Sequence, residues 1–117
     1  MKTKIIKSNN PNSKVKLSPS LLRLALSEHI RMGPKTRRPV EERLSRRARN
    51  ASTAERVAAL RQARRAVAAA EALAREYQDK KRTQPEVYTE LRRRFPWLGD
   101  GDLADRLGDY GYFLVIM

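Results

Sequence analysis

Residues 52–82 read STAERVAALRQARRAVAAAEALAREYQDKKR, a run without a single Gly or Pro. Ala, Arg, Glu and Leu dominate it, and all four are strong helix formers. It opens on Ser52-Thr53-Ala54-Glu55, the pattern of a capping box with Ser52 as cap and Glu55 at the third helical position. Leu60, Ala63, Val67, Ala70, Ala74 and Tyr77 then recur at 3,4 spacing, the seam of a coiled-coil-like helix. Most of that seam is alanine. Alanine lets a partner helix come close but buries little area per residue. A long helix of this kind needs other helices, or a second copy, packed along it.

Helical patterns continue toward the C-terminus. Thr83-Gln84-Pro85-Glu86 is a second capping box, followed by Val87, Leu91 and Phe95 on one helix face. Pro96 stops that helix, and Trp97-Leu98 reads as a hydrophobic plug. Gly99-Asp100-Gly101-Asp102 is a turn, and Leu103, Leu107 and Tyr110 define a last helical face. Asp102 and Asp105 suit the positive N-terminal end of that helix. The final run from Tyr110 to Met117 is apolar and β-prone, and its continuity with that face favours helix. Such a run is expected to be buried in the core or in an interface.

Toward the N-terminus, Ser18-Pro19 is a helix start, with Ser18 as cap and Pro19 at the first helical position. Leu21, Leu22, Ala25, Leu26 and Ile30 follow at helical spacing, and Gly33-Pro34 ends the helix, which predicts residues 19–32. Pro39 opens a second helix whose narrow apolar stripe is Val40, Leu44 and Ala48, ending near Asn50. Lys14-Val15-Lys16-Leu17 alternates polar and apolar residues, the period of a short strand. Residues 1–13 read as a flexible basic arm. The expected fold is mainly α, with four to five helices and a short N-terminal β-strand that pairs in a dimer.

Charge divides the 117-residue chain. Its 26 Lys+Arg outnumber 13 Asp+Glu, for a net +13. Residues 1–50 hold fourteen basic and three acidic side chains, a net of +11, and residues 51–117 hold twelve and ten. This predicts a nucleic-acid-binding part over residues 14–50 and a helical association part over residues 51–117. A surplus this segregated predicts an anionic partner, nucleic acid before membrane.

Several classes of function are disfavoured. With no Cys there is no thiol nucleophile, disulfide or Cys-containing zinc site. His29 is the only histidine and lacks the Gly-rich elbow of a serine hydrolase, so it reads as structural. Asp100, Asp102 and Asp105 lack the glycine and glutamate spacing of a calcium loop. No run approaches the roughly 18 apolar residues of a membrane span. No apolar signal core follows the basic N-terminus, which predicts a cytoplasmic protein. The expectation is a non-enzyme without cofactor, metal or small-molecule substrate.

Segment 14–49 carries the most specific pattern: short strand, helix, basic turn, second helix. The residues are Lys14-Val15-Lys16-Leu17, Ser18-Pro19-Ser20-Leu21-Leu22, Gly33, and Pro39-Val40-Glu41-Glu42-Arg43-Leu44. It resembles the ribbon-helix-helix DNA-binding fold of bacterial repressors, antitoxins and plasmid relaxosome-accessory proteins. The resemblance covers about a third of the chain. It departs from the family in a sparse apolar face on the second helix, two prolines in the connector and a long arm. It implies an obligate dimer whose paired strands enter the major groove. Lys14 and Lys16 would face the bases, and Lys35, Thr36, Arg37 and Arg38 would hold phosphate at the start of the second helix.

Two basic clusters complete the candidate sites. Arg37, Arg38, Arg43, Arg46, Arg47 and Arg49 fall within thirteen residues, and guanidinium groups hold phosphate bidentately. Glu41 and Glu42 cannot neutralise all six. Lys80, Lys81 and Arg82 with Arg92, Arg93 and Arg94 form a second cluster that flanks the junction of the third and fourth helices. Six of the seven aromatic residues lie in the C-terminal third, away from the main basic stretch, which favours core packing over a base-stacking platform. Trp97 and Tyr112 are the candidates for a protein interface.

Two functions fit. One is a small dimeric DNA-binding regulator or plasmid or toxin–antitoxin accessory protein. The other is a helical subunit of a ribonucleoprotein. In size and charge the chain is similar to the small subunits of CRISPR effector complexes, which grip nucleic-acid backbone and not sequence. In either case the chain is expected to be a homodimer or a subunit of a larger complex, with DNA favoured over RNA.

Overall fold

A computed structural model describes residues 17–31 and 38–117. The expected arm and strand, and with them Lys14, Lys16, Lys35 and Arg37, lie outside the described residues.

The described chain is mainly α: helix α1 (Pro19–His29), α2 (Val40–Arg47), α3 (Thr53–Gln78), α4 (Gln84–Arg94), a single 3-10 turn (Pro96–Leu98) and α5 (Leu103–Ile116). The caps form where the sequence places them. Ser18 Oγ accepts from the Leu21 amide at 3.1 Å, with Pro19 in the first turn. Ser52 and Thr83 each close a reciprocal capping box, with Glu55 and Glu86 respectively. The apolar run at the C-terminus is helical and continues α5.

The helices stop earlier than their patterns. α1 ends at His29 and α2 at Arg47, so Asn50 lies in the following turn. α3 ends at Gln78 because the chain turns left-handed at Lys80, with φ 63°. There the Lys80 amide donates to Tyr77 O at 3.0 Å and the Lys81 amide to Glu76 O at 2.8 Å, the two bonds of a Schellman turn.

α3, about 39 Å long by helical rise, is the spine. All four other helices touch it. One core joins Leu22 and Leu26 of α1, Leu44 of α2, Leu60 and Ala63 of α3, Leu91 of α4, Leu98 and Leu107. The basic and the near-neutral halves of the sequence therefore share a single interior.

The alanines of the spine bring neighbouring backbones close. A Cβ placed on Gly111 would lie 2.6 Å from the Ala70 carbonyl, so α5 crosses α3 at backbone contact. The seam residues Leu60, Ala63, Val67, Ala70 and Ala74 are buried as their spacing predicts. Tyr77 is not: it is 37% exposed, because a 3.6-residue helix drifts away from a 3.5-residue repeat. Ala59, Ala66 and Leu73 are buried alongside the seam, which widens to meet helices on two sides.

Candidate nucleic-acid interface

Two arginines of the first cluster, Arg43 and Arg47, are organised by one buried carboxylate. Glu28, on the last turn of α1, is 1% exposed. Its Oε1 accepts from Arg43 Nε at 3.2 Å, and its Oε2 accepts from Arg47 at 2.8 Å and Arg31 at 3.5 Å. Arg43 also donates to the Glu28 carbonyl at 2.6 Å and to the Arg38 carbonyl. Arg43 is thus a clamp between α1 and α2, with only 11% of its side chain exposed. Its partners on the cluster keep more water: Arg31, Arg46 and Arg47 are exposed.

Glu42 is shared in the same way, by Arg38 at 2.6 Å and Arg46 at 3.5 Å. Sharing matters for charge. One carboxylate among two or three guanidiniums orders them without cancelling them.

α2 lies beside the first half of α3 and runs opposite to it. Glu41, at its start, meets Arg64 at 3.4 Å, and Ala48, after its end, accepts from Arg56 at 3.2 Å. This brings the α2 arginines next to an exposed ridge of α3 formed by Arg61, Arg64 and Arg65. These three sit one helical turn or less apart. Arg61 and Arg65 have no ion-pair or hydrogen-bond partner among the described residues. Across this corner, eight arginines (31, 38, 43, 46, 47, 61, 64 and 65) face three carboxylates (28, 41 and 42), a surplus of five positive charges. Arg49 projects from the turn after α2, also without a partner among the described residues.

The ridge on α3 was not among the arginines singled out from the sequence. Its signal is present: Arg61 and Arg65 fall opposite the alanine seam, and Arg64 lies on its flank. Glu28 was equally hidden, because an acidic residue in a helical pattern reads as solvent-facing.

His29 lies behind this surface. Its Nδ1 is buried without a hydrogen-bond partner among the described residues. Burial holds its pKa below the usual 6.5, and the nearby Arg64 and Arg43 charges push the same way, against a weaker opposing pull from Glu41. No group of three or more His, Cys, Asp or Glu among the described residues is placed to hold a metal.

The second cluster divides. Lys80, Lys81 and Arg82 precede α4, while Arg92, Arg93 and Arg94 end it, about 16 Å along the helix by its rise. The second group is engaged. Arg92 pairs with Asp105 at 2.8 Å, joining α4 to α5. Arg93 and Arg94 both bind Glu90, and their hydrogen bonds hold that carboxyl down at about 2. In the first group, Arg82 pairs with Glu76 at 2.9 Å, while Lys80 and Lys81 have no partner among the described residues.

Of the two residues singled out for a protein interface, Trp97 packs partly buried against the core, edge-on to Phe95 with ring centroids 6.0 Å apart. Its carbonyl accepts from Arg23 of α1 at 3.0 Å. Tyr112 stays 39% exposed.

No protein-family model, curated protein or solved structure matches the chain. Among the described residues, no helix is long and apolar enough to cross a membrane.

Proposed function

We propose that the chain is a non-enzymatic nucleic-acid-binding protein that grips phosphate through the arginine surface of α2 and α3. The observation that supports this is the corner just described. Six of its eight guanidiniums are paired with three carboxylates, two of which are shared, yet five positive charges stay uncompensated. Preordered guanidinium forks match phosphate oxygens and lose less side-chain entropy on binding. As a duplex-DNA binder, the protein would act as a small dimeric regulator or accessory factor, with residues 14–17 supplying a ribbon.

A second form of the reading, a ribonucleoprotein subunit that tracks backbone, draws on a specific feature. Leu22, Ala25, Leu26 and Leu44 are already covered within one chain. α1 and α2 therefore need no second copy to close their core.

Fluorescence anisotropy with random duplex DNA, single-stranded DNA and RNA across salt tests both. Each phosphate contact contributes about 0.9 to the log–log salt slope on duplex DNA and about 0.7 on single strands. Replacing Arg61 and Arg65 together by Ala should lower the duplex slope by about 1.8. Duplex preference favours the regulator, and equal or tighter single-strand binding favours the subunit. No binding to any of the three at low salt would overturn the proposal.

A further inference from the structure

The other end of α3 carries a different kind of surface. A cavity of about 200 Å³ opens between α3, α4 and α5, lined by Tyr77, Tyr88, Tyr112, Gln84 and Asp109 around a floor of Ala74, Val87 and Gly108. That is below the roughly 300–1,000 Å³ of sites for drug-sized ligands and suits a single ring system. Glycine makes the room: a Cβ on Gly108 would fall 2.7 Å from the Tyr88 ring. Tyr77 and Tyr112 meet edge to face at 5.6 Å and both reach solvent.

The polar groups are placed by one another. Gln84 donates to the Tyr88 hydroxyl at 2.8 Å, and that hydroxyl donates to Asp109 Oδ1 at 2.6 Å. The Gln84 carbonyl oxygen and Asp109 Oδ2 remain available as acceptors.

A second groove adjoins the cavity and shares Tyr77 and Gln84 with it. Its other lining includes Lys80, Lys81 and Arg82. Lys80 adopts φ 63°, a left-handed conformation that suits glycine and costs a side chain. A lysine therefore stands where folding alone prefers glycine, and its ammonium has no partner among the described residues. Strain of this kind is characteristic of functional positions.

An aromatic slot with hydrogen-bonding edges, next to two unpartnered lysines, meets the two halves of a nucleotide: a flat base and its phosphate. An organic cation would use the tyrosines but would face Lys80 and Lys81. An inorganic anion would use the lysines and leave the slot empty. We propose that this site stacks one unpaired base of a single-stranded nucleic acid against the Tyr77–Tyr112 pair, with the adjoining phosphate on Lys80 and Lys81. The site extends the phosphate-binding reading of the α2–α3 corner but stands on separate residues.

The test uses the full chain and two fluorescein-labelled octamers, octathymidylate and an abasic deoxyribose-phosphate octamer of equal charge. Octathymidylate should bind about tenfold tighter than the abasic strand, the effect of one base–aromatic stack. Tyr112→Ala should abolish that ratio and leave the salt slope unchanged. Lys80→Gly relieves the left-handed strain, so it should melt no lower than the parent protein, yet lose about 0.7 of the single-strand salt slope. Equal affinity for both octamers in the parent protein overturns the stacking site while leaving the α2–α3 reading intact. Binding of neither octamer overturns the stacking site, while the random duplex DNA decides the α2–α3 reading separately. Thymidine 5′-monophosphate binding as tightly as the octamer would assign the site to a free nucleotide and overturn the strand. A tenfold ratio that survives Tyr112→Ala and Tyr77→Ala also overturns it.

Discussion

Replacing Glu28 by alanine should be among the most damaging polar substitutions in the protein. The carboxylate is the shared acceptor for Arg31, Arg43 and Arg47, and it joins the end of α1 to α2. Removing one member of a buried ion pair costs about 3–5 kcal/mol, because the remaining charge is left desolvated and unpaired. Arg43 has 11% of its side chain exposed and bears that cost. Arg31 and Arg47 retain 38% and 50% exposure and can turn to water, so the lower end applies, about 3 kcal/mol. Glu28→Gln keeps one acceptor oxygen and the shape, and should cost about 2 kcal/mol. Urea unfolding followed by far-UV circular dichroism reads both. With an m-value of about 1.5 kcal/mol/M, the alanine variant should unfold about 2 M earlier. Combining it with Arg43→Ala should cost less than the sum of the single changes by at least about 1 kcal/mol. A Glu28→Ala loss below about 1 kcal/mol, or an additive double variant, would refute the clamp.

Three further outcomes follow from the packing, caps and titration. Gly111→Ala forces a methyl group into the Ala70 backbone, which cannot step aside, so α3 and α5 must separate at a cost of about 1–3 kcal/mol, read by thermal melting. Ser52→Ala removes the oxygen that accepts from the Glu55 amide at 3.0 Å and should cost about 1 kcal/mol in the same assay. His29 has a folded pKa below its ordinary 6.5, so the unfolded chain takes up the proton first as pH falls. Stability should therefore drop from pH 6.5 down to the folded pKa and level off below it, and His29→Gln should remove that component of the urea-midpoint profile as pH falls below 6.5.

What was legible in the residues is local. Ser18, Ser52 and Thr83 act as caps because a cap needs only its own next three residues, all visible in sequence. The helical end of the chain follows from a face that continues from Leu103 through Tyr110. What was hidden depends on which face of one helix meets another. Glu28 lies inside because α2 folds back over α1 and brings Arg43 to it, which the i,i+4 reading of either helix omits. Tyr77 leaves the seam because drift over seventeen residues exceeds what a 3,4 count registers. The arginine ridge of α3 joins the α2 cluster only through the antiparallel approach that sets Glu41 against Arg64. The division of Lys80–Arg82 from Arg92–Arg94 is plain helical rise once α4 is known to run unbroken between them.

The central position of α3 has a consequence for synthesis. The faces of α1 and α2 leave the ribosome before the helix that covers them. At about 5–20 residues per second, the twenty-six residues of α3 take roughly 1–5 s to follow. Throughout that interval the nascent chain exposes this most cationic portion, with Leu22, Leu26 and Leu44 still uncovered by α3 and the ribosome's own RNA close at hand. The arginine corner therefore meets a polyanion before the body that will support it exists, and completion of α3 both closes the core and sets the geometry in which those arginines are held.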